Sequence, residues 1–144
     1  MRVRGSRQNI GIVCQLEGEA ARERGDEPCA RLTFQAALRS VEQSLQLEQA
    51  LGNKPGEAAS LGQIAVIHLR LGDLAAAERN AHEARQIHES LGLKEVVATY
   101  NALSQIATAR GDTAAATEWA QKRDAKLAEL KRLAGGDGGL PSQM

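Results

Sequence analysis

The feature that most constrains this chain is a motif that recurs about forty residues further on. Leu51-Gly52 is repeated forty residues later as Leu91-Gly92. Leu71-Gly72-Asp73 has a counterpart thirty-nine residues later in Arg110-Gly111-Asp112. A fixed period of this length is typical of a stack of small structural units, in which each unit buries its apolar face against the next.

The segments between these markers have the apolar spacing of amphipathic helices. From Glu57 to Leu71, and again from Glu95 to Ala109, apolar residues recur at intervals near 3.6. Gly72 and Gly111 can adopt the left-handed conformation that ends a helix, and the aspartate after each can cap the next one. The sequence therefore predicts helix pairs, whose second helices span 74–91 and about 113–134.

Composition favours an all-α fold and argues against several other classes of protein. Aromatic residues make up only 2% of the chain, so the core must consist of small and aliphatic side chains, and helix formers dominate. Lys plus Arg equal Asp plus Glu, at 18 each, which argues against a nucleic-acid-binding protein. No apolar run reaches the ~20 residues of a membrane-spanning helix. We expect a cytoplasmic protein that does not bind membranes.

The repeat resembles the tetratricopeptide family, whose antiparallel helix pairs stack into an α-solenoid. The motif reads Ile64-Ala65, His68, Gly72-Asp73, Ala77 and Ala84 in one repeat, and Leu103-Ser104, Ala107, Gly111-Asp112 and Ala116 in the next. The forty-residue period is similar to that of the longer-repeat branch typified by kinesin light chain and spindle-orientation adaptors. The resemblance implies a single domain over 1–134 with about three repeats, 6–52, 53–92 and 93–134, followed by a disordered Gly-rich tail, 135–144.

The first third of the chain departs from the repeat pattern. Gly18-Glu19 matches the turn after a first helix, and the second helix is predicted over about 31–51. The stretch 19–30 is then extra, either as an extension of the first turn or as a break in a long second helix. Pro28 is poorly tolerated inside a helix, which predicts a break near Asp26.

No group of residues supports catalysis or a bound cofactor. His82 and His88 are six apart, which is not metal-ligand spacing on one helix face. His68 stands where the family usually has Tyr, so it is interpreted as a packing residue. Cys14 and Cys29 form neither a metal-type nor a redox pair. We therefore predict a protein that is not an enzyme and needs no metal or cofactor.

The resemblance also implies a partner-binding groove, because the first helices of successive repeats line the concave face of such stacks. The implied positions hold mostly amides, hydroxyls and small apolar residues. An amide both donates and accepts, so it can bracket the backbone of a bound peptide. The basic residues of chaperone-tail clamps are missing, so a terminal carboxylate is not the expected ligand. The predicted groove residues are Gln8, Asn9, Ile12, Gln15, Gln63, Val66, Leu69, Arg70, Asn101, Gln105 and Thr108.

Two uses of such a stack stay open on the sequence alone. The first is a scaffold or adaptor that binds a peptide or protein segment in the groove. The second is a self-association or regulatory domain of a larger signalling protein, working through an open end of the stack. In that case Leu127, Leu130 and Leu133, which lie among basic residues of the last helix, would join copies into a homo-oligomer.

Overall fold

The computed structural model describes the backbone of residues 6–139 and the side chains of residues 11–135. Within the described backbone, six helices follow one another and no strand occurs. Each helix packs on its neighbours in sequence, and the first helices of the second and third repeats also meet. This is the predicted all-α helical repeat solenoid. The helices are α1 (Ser6–Glu23), α2 (Glu27–Leu51), α3 (Lys54–Leu71), α4 (Leu74–Leu91), α5 (Val96–Arg110) and α6 (Thr113–Gly139).

The turns inside the second and third repeats follow the local chemistry of the sequence. Gly72 and Gly111 end α3 and α5 with φ angles of 87° and 83°, in the left-handed region that favours glycine. Asp73 and Asp112 each accept a hydrogen bond from the backbone N–H three residues further on. These two turns and their caps are confirmed as predicted.

The first helix pair differs from the prediction in the position of its turn. α1 continues to Glu23, so Gly18-Glu19 lies inside a helix, and α2 begins at Glu27 rather than near Arg31. Gly18 serves close packing instead of a turn. A Cβ atom there would lie 3.0 Å from the ring of Phe34, so the missing side chain lets α1 and α2 approach.

The predicted break near Asp26 is confirmed. Asp26 is the N-cap of α2, and its carboxylate accepts a hydrogen bond from the backbone N–H of Cys29. Pro28 lies in the first turn of α2, where a helix does not need the missing N–H. The extra residues of the first repeat therefore lengthen its second helix, since α2 has 25 residues and α4 has 18.

Among the described residues, two clusters of buried side chains join successive repeats. The first joins α1, α2 and α3, and Phe34 is its largest side chain. The second joins α3, α4 and α5, with Trp119 of α6 packed against it. The main members are Phe34, Ala37, Val41, Ile64 and Ile67 in the first cluster, and Ala65, Ala77, Ala81, Leu103 and Ile106 in the second.

The last helix is covered on one side only. Residues 113–135 of α6 include no fully buried side chain, and Leu127 and Leu133 are 39% and 58% exposed. α6 reaches Gly139, so its helix includes 135–139, which the sequence placed in a disordered tail. Residues 140–144 lie outside the described part of the chain.

Candidate partner-binding groove

An open cavity of about 300 Å³ lies between the first helices of the three repeats. Small residues of α3 and α5, including Ala59, Gly62 and Ala98, line most of it. At Gly62 an added Cβ atom would meet nothing within 4 Å, because the position faces open space. A surface of small residues allows another chain to approach the helix backbones closely, so this cavity is the best candidate for a binding groove.

A buried polar pair borders the same cavity. His88 of α4 and Thr99 of α5 are only 4% and 3% exposed, and His88 Nδ1 lies 3.0 Å from Thr99 Oγ1 in a hydrogen bond. Burial lowers the pKa of His88, because the charged ring would lose its hydration, while the carboxylate of Glu95 acts in the opposite direction. His88 is therefore a neutral hydrogen-bonding group at neutral pH.

The cavity brings together some of the residues that the sequence placed in a groove. Gln15 of α1 and both Gln63 and Val66 of α3 line it. Ile12 lies on α1 one turn before Gln15 and is 42% exposed, so it presents an apolar surface to solvent.

Two other predicted groove residues hold helices together instead. Arg70 Nε donates to Glu19 Oε2 at 3.1 Å, and the Arg70 carbonyl accepts from the Arg22 guanidinium at 2.7 Å. Asn101 accepts a hydrogen bond from Arg123 at 2.7 Å. Arg70 thus ties α3 to α1, and Asn101 ties α5 to α6. Neither residue lines the cavity.

The remaining predicted groove residues also lie away from the cavity or outside the described side chains. Leu69 packs against the second core cluster. Gln105 and Thr108 are exposed on α5, where the Thr108 hydroxyl donates to a carbonyl of the preceding turn. Gln8 and Asn9 belong to α1, but their side chains lie outside the described residues.

The sequence reading missed the His88–Thr99 pair, although the repeat register contains a signal for it. Ser60 and Thr99 each lie twelve residues before the glycine that ends their helix, and Ser60 Oγ donates to Glu48 Oε1 at 2.6 Å. Glu48 and His88 each lie four residues before the glycine that ends α2 or α4. Both junctions between repeats thus carry a hydroxyl bonded to a titratable side chain at equivalent positions.

The only Trp and the only Tyr of the chain meet at a second polar cluster, which joins the last three helices. The Trp119 ring of α6 stacks on Tyr100 at 5.9 Å between centroids and meets the edge of His82 at 5.7 Å. Tyr100 donates a hydrogen bond to Glu89 at 2.7 Å. Burial and this carboxylate raise the pKa of Tyr100 to about 12. The cluster packs helices together and is separate from the cavity.

The described residues contain no group of His, Cys, Asp and Glu that could hold a metal ion. Over the same part of the chain, every helix is too short or too polar to cross a membrane. Cys14 and Cys29 are free thiols, both partly covered by the first core cluster.

The fold and the groove define a helical-repeat protein, and comparison with known proteins specifies the repeat. Residues 58–91 match a model of the tetratricopeptide repeat, over nearly all of α3 and α4. The chain therefore carries a tetratricopeptide repeat in its second helix pair, and the resemblance inferred from the sequence is confirmed, including its consistency with the kinesin light chain type. Neither the curated proteins nor the solved structures provided a match.

The matched repeat belongs to a family with a general function. Tetratricopeptide repeats generally mediate protein–protein interactions, and their proteins are typically interaction modules rather than enzymes. The match covers Gly62, Gln63 and Val66, so part of the cavity lining lies within the recognised repeat.

Proposed function

We propose that this chain is a scaffold or adaptor module that binds a protein or peptide segment in the groove between α1, α3 and α5. The observation that carries the proposal is the open cavity of small residues in a helical stack whose second helix pair matches a tetratricopeptide repeat. The bound segment is not processed chemically, so the module works as a non-enzymatic binding protein. A cytoplasmic location, and the absence of nucleic-acid or membrane partners, stay predictions from the sequence.

The side chains around the cavity favour a partner with an apolar face. Ala59, Gly62 and Val66 of α3 offer carbon atoms with little steric bulk, and Ile12, one turn before Gln15 on α1, is a further exposed apolar side chain. Burying apolar area stabilises a complex by about 25 cal/mol per Å² before the entropic cost of association. The amide of Gln15 adds hydrogen-bonding capacity at the edge, where it can fix the register of the bound segment.

Gly62→Leu tests the groove directly. Because Gly62 lines the cavity and an added Cβ atom there meets nothing within 4 Å, we expect the leucine side chain to extend into the cavity and leave the core undisturbed. Affinity capture from native lysate, followed by a binding measurement with the captured partner, should show loss of the partner. Circular dichroism should show the same helix content as in the parent chain.

Gly135→Leu is the matched control, since Gly135 also lies in a helix with nothing within 4 Å of an added Cβ atom but is not among the residues that line the cavity. This variant should retain the partner. If both variants capture the same partner with the same affinity, the groove is not the binding surface.

Self-association through α6 is the second candidate function, favoured by the exposure of its leucines. Leu127 and Leu133 are 39% and 58% exposed on a helix without a buried residue among 113–135. Such a surface would suit a regulatory domain that assembles copies of a larger signalling protein. Light scattering over a range of concentrations should show a homo-oligomer that Leu133→Glu dissociates. A monomer at every concentration would exclude this function.

A further inference from the structure

The two junctions between repeats differ in the chemistry of one equivalent position. Glu48 occupies it in α2 and bonds Ser60, whereas His88 occupies it in α4 and bonds Thr99. Ser60 and Thr99 are both buried, at 0% and 3% exposed, and His88 is buried as well, whereas Glu48 is only partly buried. A titratable group at such a position makes the junction sensitive to pH, with a sign that depends on the group.

His88 has little to compensate a positive charge. α3 and α5 are the helices that pack against α4. At the neighbouring end of α3, Lys54 and Glu57 pair with each other at 3.2 Å. On α4 itself, Arg85 and Glu89 pair at 3.0 Å.

On the α5 side, His88 meets the uncharged hydroxyl of Thr99 and the carboxylate of Glu95. Glu95 is the residue whose charge favours the protonated ring, yet the loss of hydration outweighs it, and the pKa of His88 stays below its ordinary value of 6.5. The neutral His88 ring is therefore more stable in this junction than the charged ring.

We propose that the His88–Thr99 pair is an acid-sensitive latch, so that protonation of His88 loosens the third repeat from the second. Since His88 and Thr99 border the cavity together with Ala98 and Ala102, loosening also removes the α5 wall of the groove. The effect of His88 protonation on the junction does not depend on the proposed function, whereas an effect on partner binding rests on it.

The direction of the pH effect follows from linkage. A histidine whose folded-state pKa is depressed contributes stability that is fully present above 6.5 and is lost as pH falls through the folded-state pKa. Glu48 has the opposite sign, because burial raises its pKa and protonation then favours the folded state. Mild acid therefore weakens the junction of α4 with α5 while the junction of α2 with α3 is retained.

Hydrogen exchange on the whole chain without a partner tests the latch. Exchange is followed by mass spectrometry at about pH 7.5 and about pH 5.5, on either side of the ordinary histidine pKa, and is corrected for the intrinsic pH dependence of exchange. We expect protection of α5 to fall several-fold more than protection of α3. His88→Gln, which keeps a hydrogen-bonding side chain but cannot titrate, should lose this difference.

Two other histidine variants serve as controls. His68→Gln changes the last turn of α3, and His82→Gln changes the contact with Trp119; both should retain the greater acid sensitivity of α5. Equal loss of protection in α3 and α5, or an unchanged response in His88→Gln, would overturn the latch.

A titration of the wild-type chain gives a second test, which holds even if His88→Gln fails to fold. NMR should show the His88 ring titrating below 6.5, with the Thr99 amide shifting at the same midpoint. A His88 midpoint at or above 6.5 would overturn the proposal. The exchange experiment uses the chain without a partner, so its outcome does not depend on whether the groove binds one, and failure of the latch is distinguishable from failure of the proposed function.

Discussion

Two glycine-to-alanine substitutions should change stability in opposite directions, although the chemical change is identical. Gly18 of α1 and Gly62 of α3 both lie inside helices, where alanine is favoured over glycine by about 0.8–1.0 kcal/mol. At Gly62 the new Cβ atom meets nothing within 4 Å, so Gly62→Ala should stabilise the chain by roughly this amount. At Gly18 the same atom would lie 3.0–3.1 Å from three atoms of the Phe34 ring.

The packing penalty at Gly18 is expected to exceed the helix-propensity gain. Phe34 is fully buried, so its ring cannot move toward solvent, and overpacking of such a site typically costs about 1–3 kcal/mol. Since the propensity gain is common to both variants, the difference between them measures the packing penalty alone. Gly18→Ala should therefore be less stable than Gly62→Ala by about 1–3 kcal/mol.

Urea denaturation followed by circular dichroism measures this difference. Both variants should keep the m-value of the parent chain, so that a shift in midpoint reports the free energy of unfolding. Equal midpoints for the two variants would show that α1 and α2 are not in the close contact described above. The reasoning about Gly18 would then be refuted.

Three further predictions concern caps, junctions and titration. Asp73→Ala removes the hydrogen bond to the N–H of Ala76, and chemical denaturation should show a loss of about 1 kcal/mol, against no change for the exposed Ala75→Ser control. Ser60→Ala leaves Glu48 without its buried partner and should lower the free energy of unfolding by about 1–3 kcal/mol, whereas an unchanged value would mean that water replaces the hydroxyl. Tyr100 is the only tyrosine, so ultraviolet absorbance should show its phenol titrating with a midpoint near 12 in the folded chain. Because the pKa of Tyr100 is raised in the folded chain, the free energy of unfolding should fall as pH rises above 10.0. An ordinary midpoint would contradict the hydrogen bond to Glu89.

Local chemistry made most of the fold predictable from the sequence. The turns at Gly72 and Gly111 depend on residues within one helical turn, so glycine and aspartate spacing alone defined them. Gly18 shows where this approach fails. A glycine is required both in a left-handed turn and at a close helix contact, and only the position of Phe34 in three dimensions distinguishes the two.

The groove was less predictable because pairing partners are distant in sequence. Arg70 bonds Glu19, 51 residues away, and Asn101 bonds Arg123, 22 residues away. The position of a residue on a helix face predicts that its side chain is accessible, but it does not show that the side chain is already hydrogen-bonded to another helix. Gln15, Gln63 and Val66 line the cavity, where neighbouring small residues leave space, and their role in partner binding stays a prediction.

The two proposed functions can be separated by comparing α6, the second helix of the third repeat, with the second helices of the other repeats. His88 lies fifteen residues after the cap Asp73, and Leu127 lies fifteen residues after Asp112. α6 thus presents an apolar, 39% exposed side chain where α4 has a buried polar one. A surface that buries Leu127 gains from apolar contact and needs no hydroxyl partner, so its association should be insensitive to His88 protonation. Leu127→Gln should therefore weaken self-association without affecting groove binding, and Gly62→Leu should do the reverse.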